Sequence, residues 1–507
     1  MSRRKIPPRF LLCMAAIFVI CCEREANPSD EEAIYLSYCG SCHLAPDPAH
    51  LPKSIWEEFV LPNMAERMGY SYQEQQNPLS IYSTEEELFS SPEKKPTQSP
   101  GLDDNIWKQI QEFIRAHAPD SIPVEKNRSE RNSPLAQFSP LAITLDKSQS
   151  GGITHIGFDS ISKQFKVGEY YGRLFTWPNG RELSPRFQSP VIFQNNGEGG
   201  LCITEIGYMD PSEESRGRMY RVGAGGMDTL AVALHRPVYS EVTDLNEDGV
   251  EELLICEFGD LTGELSLLVK TDSGYDKRTL LGEPGTIKLE IQDMDLDGRK
   301  DIVVLASQGN EGVYILYQEG DLQFRREQVI QMGPEYGSSW FELLDYDGDE
   351  DLDIVIANGD NADFSIFLKP YHGVRLFLNN GRNTFKQQWF YPVYGATRVL
   401  AEDYDQDGDW DFAVMAYFPD VDNSPEEAFI FLENKSPDRY QFEPFTFQES
   451  TFGRWLVMDD GDYDGDGDID IMLGSFLLLP GEQYETLTNR WKRKKVNLLL
   501  LENTLKD

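Results

Sequence analysis

Asp462 to Phe476 reads "DYDGDGDIDIMLGSF". Acids stand at positions 1, 3, 5, 7 and 9, glycines at 4 and 6, and an apolar run follows. The same design occurs four more times: "DLNEDGVEE" from Asp244, "DMDLDGRKD" from Asp293, "DYDGDEDLD" from Asp345 and "DYDQDGDWD" from Asp403. Every copy has an acid or amide at positions 1, 3 and 5 and a carboxylate at position 9. Gly fills position 6 in four of them, and Glu350 takes its place in the third. The starts are 49, 52, 58 and 59 residues apart, which is an internal repeat of about 50 residues.

Alternating oxygens around a tight turn surround one hard cation, and calcium is the natural occupant. The side chains of positions 1, 3, 5 and 9 and the carbonyl of position 7 are the candidate ligands. They are Asp244, Asn246, Asp248, Val250 and Glu252 in the first loop, and Asp293, Asp295, Asp297, Arg299 and Asp301 in the second. The third loop offers Asp345, Asp347, Asp349, Asp351 and Asp353; the fourth Asp403, Asp405, Asp407, Asp409 and Asp411; the fifth Asp462, Asp464, Asp466, Asp468 and Asp470. Four to five calcium ions are expected, with the third loop weakened because Glu350 stands where the turn favours glycine. An EF-hand opens in the same way but needs Glu at position 12. Here that position is Ile255, Val304, Ile356, Val414 or Leu473. The following runs ("LLIC", "IVVLA", "IVIAN", "FAVMA", "IMLGS") are strands, so each loop joins two strands.

A further strand follows each unit, in "GVYILYQEG", "GVRLFLNNG", "EAFIFLENK" and "VNLLLLENT". Several strands per repeat of about 50 residues predict β-propeller blades. Upstream, "FKVGEYYGRLFTWPNG" and "LCITEIGYMDPSEESRGRMYRVGAGG" look like two blades without acidic loops, which brings the count to seven. The final strand is expected to pair into the first blade and close the ring, removing an exposed edge.

The other end of the chain is different. Arg3, Arg4, Lys5 and Arg9 precede an apolar Phe10–Ile20 segment too short to span a bilayer, the pattern of an export signal. "VICC" then places Cys22 as a lipidated residue, so a leader is expected over 1–22. "CGSCH" at Cys39–His43 is the C-x-x-C-H signature of covalent haem attachment. Cys39 and Cys42 can each bond one vinyl group, and His43 then faces the iron. Zinc would want a second ligand pair, and none exists. Met64 and Met68 offer the sixth ligand, as in electron carriers. Met64 is preferred as a loop residue after Pro62; His50 and His117 are read as surface residues. "DDNIWKQIQEFIRAHAP" from Asp103 predicts a helix capped by Asp103 or Asp104 and stopped by Pro119. With the haem-binding helix it suggests a small all-α class I cytochrome c domain over 23–120, with 71–102 as loop. A linker over 121–134 leads to the propeller at 135–507. Cys202 and Cys256 sit in apolar runs and are expected as buried free thiols.

The formal net charge is −40, from 46 basic and 86 acidic residues. A polyanion of this size is a poor partner for nucleic acid and for anionic headgroups.

The whole layout resembles exported bacterial proteins that fuse a short cytochrome c to FG-GAP/VCBS-type repeats, the calcium-loop units also found in integrin α-subunit heads. The segments that carry it are "CGSCH", "WEEFVLPNMAERMG", "NGDNADFSIFLKPYHGVRLFLNNG", "GRWLVMDDGDYDGDGDIDIMLGSF" and "NLLLLENT". The resemblance implies Met64 as axial ligand and the loop aspartates as calcium ligands; Glu350 departs from its pattern. It supplies no reaction. The expected function is electron transfer by one c-type haem on a calcium-binding platform that docks a redox partner protein or a small electron donor or acceptor. The location is the periplasm or outer membrane surface, through the lipid anchor. An electron carrier is favoured over an enzyme. One alternative is a quinoprotein-like oxidoreductase with catalysis in the propeller, but His155, His235 and His372 are scattered. His235, Arg236, Trp340, Arg398, Arg454 and Trp455 start inner strands; they are candidates to line the channel mouth, but packing between blades or solvating the rim is the favoured expectation. The other alternative is an adhesion or glycan-binding propeller.

Overall fold

The computed structural model describes residues 30–68, 102–125, 128, 132–145, 151–361, 367–477 and 485–506. The expected leader with Cys22 and most of 71–102 lie outside them.

Seven sheets follow one another along the chain. Blades one to five are four-stranded meanders at 153–183, 191–234, 237–281, 286–331 and 338–392. Blade six spans 396–446 and gains a short parallel strand, Ser133–Pro134, on its outer edge. Blade seven has three strands from 455–503 and a fourth, Phe138–Ile143, from near the start of the described chain. The ring therefore closes differently from the expectation. The last strand, Leu498–Asn503, stays in its own blade, and the N-proximal strand is added outside it. Pairing an N-proximal strand into the last blade ties the first and last blades together.

The second strand of each acidic blade is buried throughout, and apolar through its middle after an opening carboxylate, because both faces are covered by neighbouring blades. Ile302, Val303, Val304 and Leu305 are all 0 % exposed. Burying each such side chain contributes about 1.5–3 kcal/mol. A strand half open to solvent would alternate instead. Cys202 and Cys256 are buried free thiols, as expected.

The innermost strands share one irregularity. Each skips a pairing after its first residue, a β-bulge repeated in all seven blades. The residues just past the bulge are His155, Phe193, Tyr239, Lys288, Trp340, Arg398 and Val457, one from each blade.

Because strands alternate in direction, the propeller has two unlike faces. The acidic loops join first to second strands on one face. The second-to-third and blade-to-blade connections lie on the other. Helix α1, Asp30–Cys39, and helix α2, Leu61–Arg67, precede the propeller, with a π-helical turn at Trp56–Val60 leading into α2. Helix α3, Asp104–His117, is capped by Asp103, whose carboxylate accepts from the Asn105 N–H at 2.7 Å. Its Trp107, Ile110, Phe113 and Ile114 are buried at helical spacing against Tyr35 of α1 and Trp56.

Candidate functional site: haem-type motif and acidic loops

α1 ends at Cys39, so the C-x-x-C-H stretch begins where the helix breaks. Cys39 is half-buried, Cys42 exposed, and both thiols are free. Burial pushes the Cys39 thiol up to about 12, so it is protonated. The His43 ring lies half-exposed with Nδ1 2.8 Å from the Leu44 carbonyl oxygen. If that nitrogen carries the proton, Nε2 keeps its lone pair. Met64 lies within α2, not in a loop: the chain is helical without a break from Lys53, and the π-helical turn, with the Leu61 N–H on the Trp56 carbonyl, carries the helix past Pro62. Met68 follows one turn later, its N–H donating to the Met64 carbonyl at 2.9 Å. Met68 packs against the helical core; Met64 is half-buried.

His50 is the largest departure from expectation in this part. It faces the propeller. Its Nδ1 is 2.7 Å from Glu335 Oε1, in the connection from blade four to blade five. Its carbonyl accepts from the Tyr371 hydroxyl at 3.0 Å, and its ring packs on Tyr371 and Tyr336. Glu335, through this hydrogen bond, holds the imidazole above its ordinary pKa. Arg375 stacks over Tyr336 at 4.7 Å and completes the contact. The stretch after α3 is also fastened. The Glu125 N–H donates to Tyr394 at 3.0 Å, and buried Arg128 lies over the same ring. The helical segment thus sits on the face opposite the acidic loops. His117 is exposed, as expected, with its ring against Phe113.

Each acidic loop makes the same turn. Position 6 has a left-handed backbone in all five, at φ 85° in Gly249, 88° in Gly298, 72° in Glu350, 98° in Gly408 and 97° in Gly467. Position 4 is left-handed too, and there Glu247, Leu296 and Gln406 accept it without being glycine. The position 1 carboxylate gathers backbone N–H groups of its own loop. In the fourth, Asp403 accepts from Asp407 at 3.0 Å and Gly408 at 3.0 Å. Three carboxylates can meet at one point in four loops. They are Asp293, Asp295 and Asp297; Asp345, Asp347 and Asp353; Asp403, Asp405 and Asp411; and Asp462, Asp464 and Asp466. Loop one, with Asn246, has no such trio; there Asn246 donates to Asp248 at 3.1 Å.

The loops differ in how their charge is balanced. Arg299 reaches back to Asp297 in the second, and Lys163 lies 2.6 Å from Asp462 in the fifth. The fourth loop has neither. There burial lifts Asp411 to about 8, and burial with Asp407 lifts Asp409 to about 6. Asp411 Oδ2, Asp409 Oδ1 and Asp468 Oδ1 are buried without a hydrogen-bond partner.

Position 9 carries a second duty. Its oxygens accept the N–H of position 2 and the N–H of an amide residue at the end of the third strand. Asp301 accepts from Met294 at 2.9 Å and Gln318 at 2.8 Å. Asp353 accepts from Tyr346 at 3.0 Å and Asn379 at 2.8 Å, and Asp470 from Asn503 at 2.9 Å. The same amides then donate their side-chain N–H to the carbonyl of position 8, as Gln318 does to Lys300 at 2.8 Å and Asn434 to Trp410 at 3.2 Å. Sequence reasoning missed these amides, although their signal was present in the repeated "YQEG", "LNNG", "LENK" and "LENT".

The axis of the ring is filled. Phe193 and Tyr239 pack with tilted rings 4.0 Å apart, His155 packs on Phe193 at 5.1 Å, and Arg398 lies 3.8 Å from the Trp340 ring. Lys288 bridges Glu290 at 3.0 Å and Glu342 at 2.9 Å. Burial pulls the Lys288 ammonium down, but the two carboxylates outweigh it and its pKa ends above the usual value. Burial lifts Glu241 to about 7 and drops His155 to about 3. Trp340 and Arg398 therefore plug the axis instead of lining a rim. Trp455 and Arg454 are buried as expected, Arg454 3.7 Å over Tyr417. Arg236 is buried with Nη2 donating to the Met209 carbonyl at 3.0 Å.

The fold is that of a seven-bladed β-propeller with acidic inter-strand loops. Residues 293–356, from the second acidic loop through the third, match the model of the FG-GAP-like repeat. No curated protein matches the chain. Among solved structures, the Neurospora crassa Pan2 WD40 domain is 12 % identical with a TM-score of 0.44, covering 73 % of this chain and 97 % of that one. BBS1N, solved in complex with ARL6DN, is 11 % identical with a TM-score of 0.40, over 72 % and 97 % of the two chains. Saccharomyces cerevisiae Sqt1 is 9 % identical with a TM-score of 0.40, over 69 % and 83 %.

Proposed function

We propose that this is an exported, lipid-anchored, monohaem c-type cytochrome whose propeller is a calcium-stiffened platform for a redox partner. The observation that carries the reading is the C-x-x-C-H stretch with two free thiols and a histidine whose Nδ1 is engaged by a carbonyl. That hydrogen bond is what orients an iron-binding imidazole through Nε2. Bound covalently, haem would supply one-electron redox chemistry. Cys39 and Cys42 would hold it, His43 would ligate it, and Met64, which is not packed into the helical core, would be free to approach it. The donor set fits the group.

The acidic loops fit calcium by their chemistry. Buried carboxylate oxygens without partners in the fourth and fifth loops are groups that a bound cation would satisfy. The packed axis favours the platform over a propeller that performs catalysis at its centre, since no substrate can reach it without repacking Trp340 and Arg398. The fastened His50 contact supports a fixed orientation of the haem motif on the propeller.

The test is the reduced-minus-oxidised visible spectrum of protein matured with c-type haem machinery. A low-spin haem c spectrum, lost in Cys42→Ala and shifted in Met64→Ala but not in Met68→Ala, is expected. No covalent haem would refute the cytochrome reading. The reverse methionine result would move the ligand to Met68.

A further inference from the structure

Helix α4, Glu485–Lys494, is inserted between the second and third strands of blade seven. It ends in "RWKRKK": Arg490, Lys492, Arg493, Lys494 and Lys495, five cations in six residues of a chain with a formal charge of −40. All five are exposed. The helix is fixed beneath them. Trp491 is 6 % exposed, and its Nε1–H donates to the Thr451 carbonyl at 3.1 Å. Among the described residues, Arg490, Lys492 and Arg493 have no carboxylate partner, and Lys494 lies over the Phe452 ring.

By strand direction, this insertion lies on the face that carries the helical segment, opposite the acidic loops. The seven-residue inner strand Trp455–Gly461 separates the two faces by about 20 Å. That exceeds the Debye length of about 8 Å at physiological ionic strength, so the patch acts independently of the loop carboxylates.

We propose that this helix binds the anionic phospholipid headgroups of the membrane to which the chain is tethered. The choice of lipid rests on the anchoring reading. Cys22 is eight residues before Asp30, the first residue of α1, and eight residues reach at most about 28 Å. A tether that short holds the helical face, and α4 with it, toward the bilayer. The cations then meet the headgroup field as a local cluster, on a face whose helical segment carries more acids than bases.

The experiment is partitioning of the full mature chain into phosphatidylcholine vesicles, with and without about 30 % phosphatidylglycerol, at low and high salt and fixed calcium. The wild type is compared with Arg490→Gln/Lys492→Gln/Arg493→Gln, which leaves Trp491 and Lys494 in place. Each cation near an anionic surface is worth about fivefold in binding, so the variant should lose about a hundredfold of the preference for charged vesicles at low salt. Swapping Lys492→Arg and Arg493→Lys should keep it. An unchanged preference in the triple variant, or none in the wild type, would overturn the proposal. So would retention on immobilised polyglutamate with equal partitioning into both vesicle types, which would make the occupant an acidic protein. Binding to neutral vesicles reports the anchor separately. Its absence would sink the lipidation reading while the charged-to-neutral ratio still decides the patch.

Discussion

Glu350→Gly is predicted to stabilise the propeller. Glu350 holds φ at 72° at the position where the other four loops have glycine. A left-handed backbone costs an L-residue roughly 1–2 kcal/mol. Glycine removes that cost but returns about 0.4–1 kcal/mol of unfolded-state entropy. The exposed Glu350 side chain makes no hydrogen bond or ion pair with a described residue that would be lost; the backbone N–H bond to Asp345 at 3.1 Å remains. The net gain is about 0.5–1 kcal/mol. In a domain of this size that moves the melting temperature by only about 1 °C. The better assay is hydrogen exchange of the third-loop amides, which slow by about two- to fivefold if local opening limits exchange. The mirror change, Gly408→Glu in the fourth loop, should cost about 0.5–1 kcal/mol at the same turn by the same two terms. If Glu350→Gly speeds exchange and Gly408→Glu leaves it unaltered, position 6 is not set by backbone strain and the equivalence of the loops is wrong.

Three other outcomes follow from the geometry. His50 has its pKa raised by Glu335, so the contact between helical segment and propeller is fully stabilising below the unfolded value of about 6.5 and is lost as pH rises through the folded value. Glu335→Gln should therefore expose the segment to limited proteolysis at pH 6 and change little at pH 9; an equal effect at both pH values would reject the ion pair. Lys288→Ala leaves Glu290 and Glu342 facing each other inside the ring and should cost about 3–5 kcal/mol in thermal unfolding, whereas Lys288→Ala with Glu342→Gln should recover part of it. Calcium removal should lower the melting temperature, and Asp403→Ala should reduce that dependence more than Asn246→Ala, because the fourth loop gathers a carboxylate trio and the first does not; calorimetric titration of the two variants would show equal losses if all loops bound alike.

The sequence made the loops legible because their chemistry is local. Nine residues contain the acids, the turn and the entry to the next strand, and five copies make the pattern hard to mistake. Blade number came from the same period. The helix from Asp104 was equally local, since cap, apolar stripe and proline stop lie within seventeen residues. What escaped depended on distant partners. His50 looked like a surface residue because Glu335 is 285 positions away. Trp340, Arg398 and Lys288 are on different blades, and only the shared bulge in the inner strands brings them to the axis. The closing strand was misassigned for the same reason. Nothing in "FSPLAI" indicates that its partner is "LLLLEN" at the far end of the chain.

Position 9 shows why loop and sheet have to be considered together. An acid needed only for a cation could stay in the exposed turn. Asp301, Asp353 and Asp470 instead are 1 % exposed, at the first residue of a buried strand, with their oxygens spread between the turn and the third strand. The amides that meet them also reach the neighbouring loop, as Asn503 donates to the Tyr404 carbonyl at 2.9 Å and Gln318 to that of Leu245 at 3.1 Å. Loop, blade and adjacent blade are thus one hydrogen-bonded unit. A cation in these loops would therefore stiffen the ring at its seams, while the helical segment on the opposite face is held by His50 and Glu335.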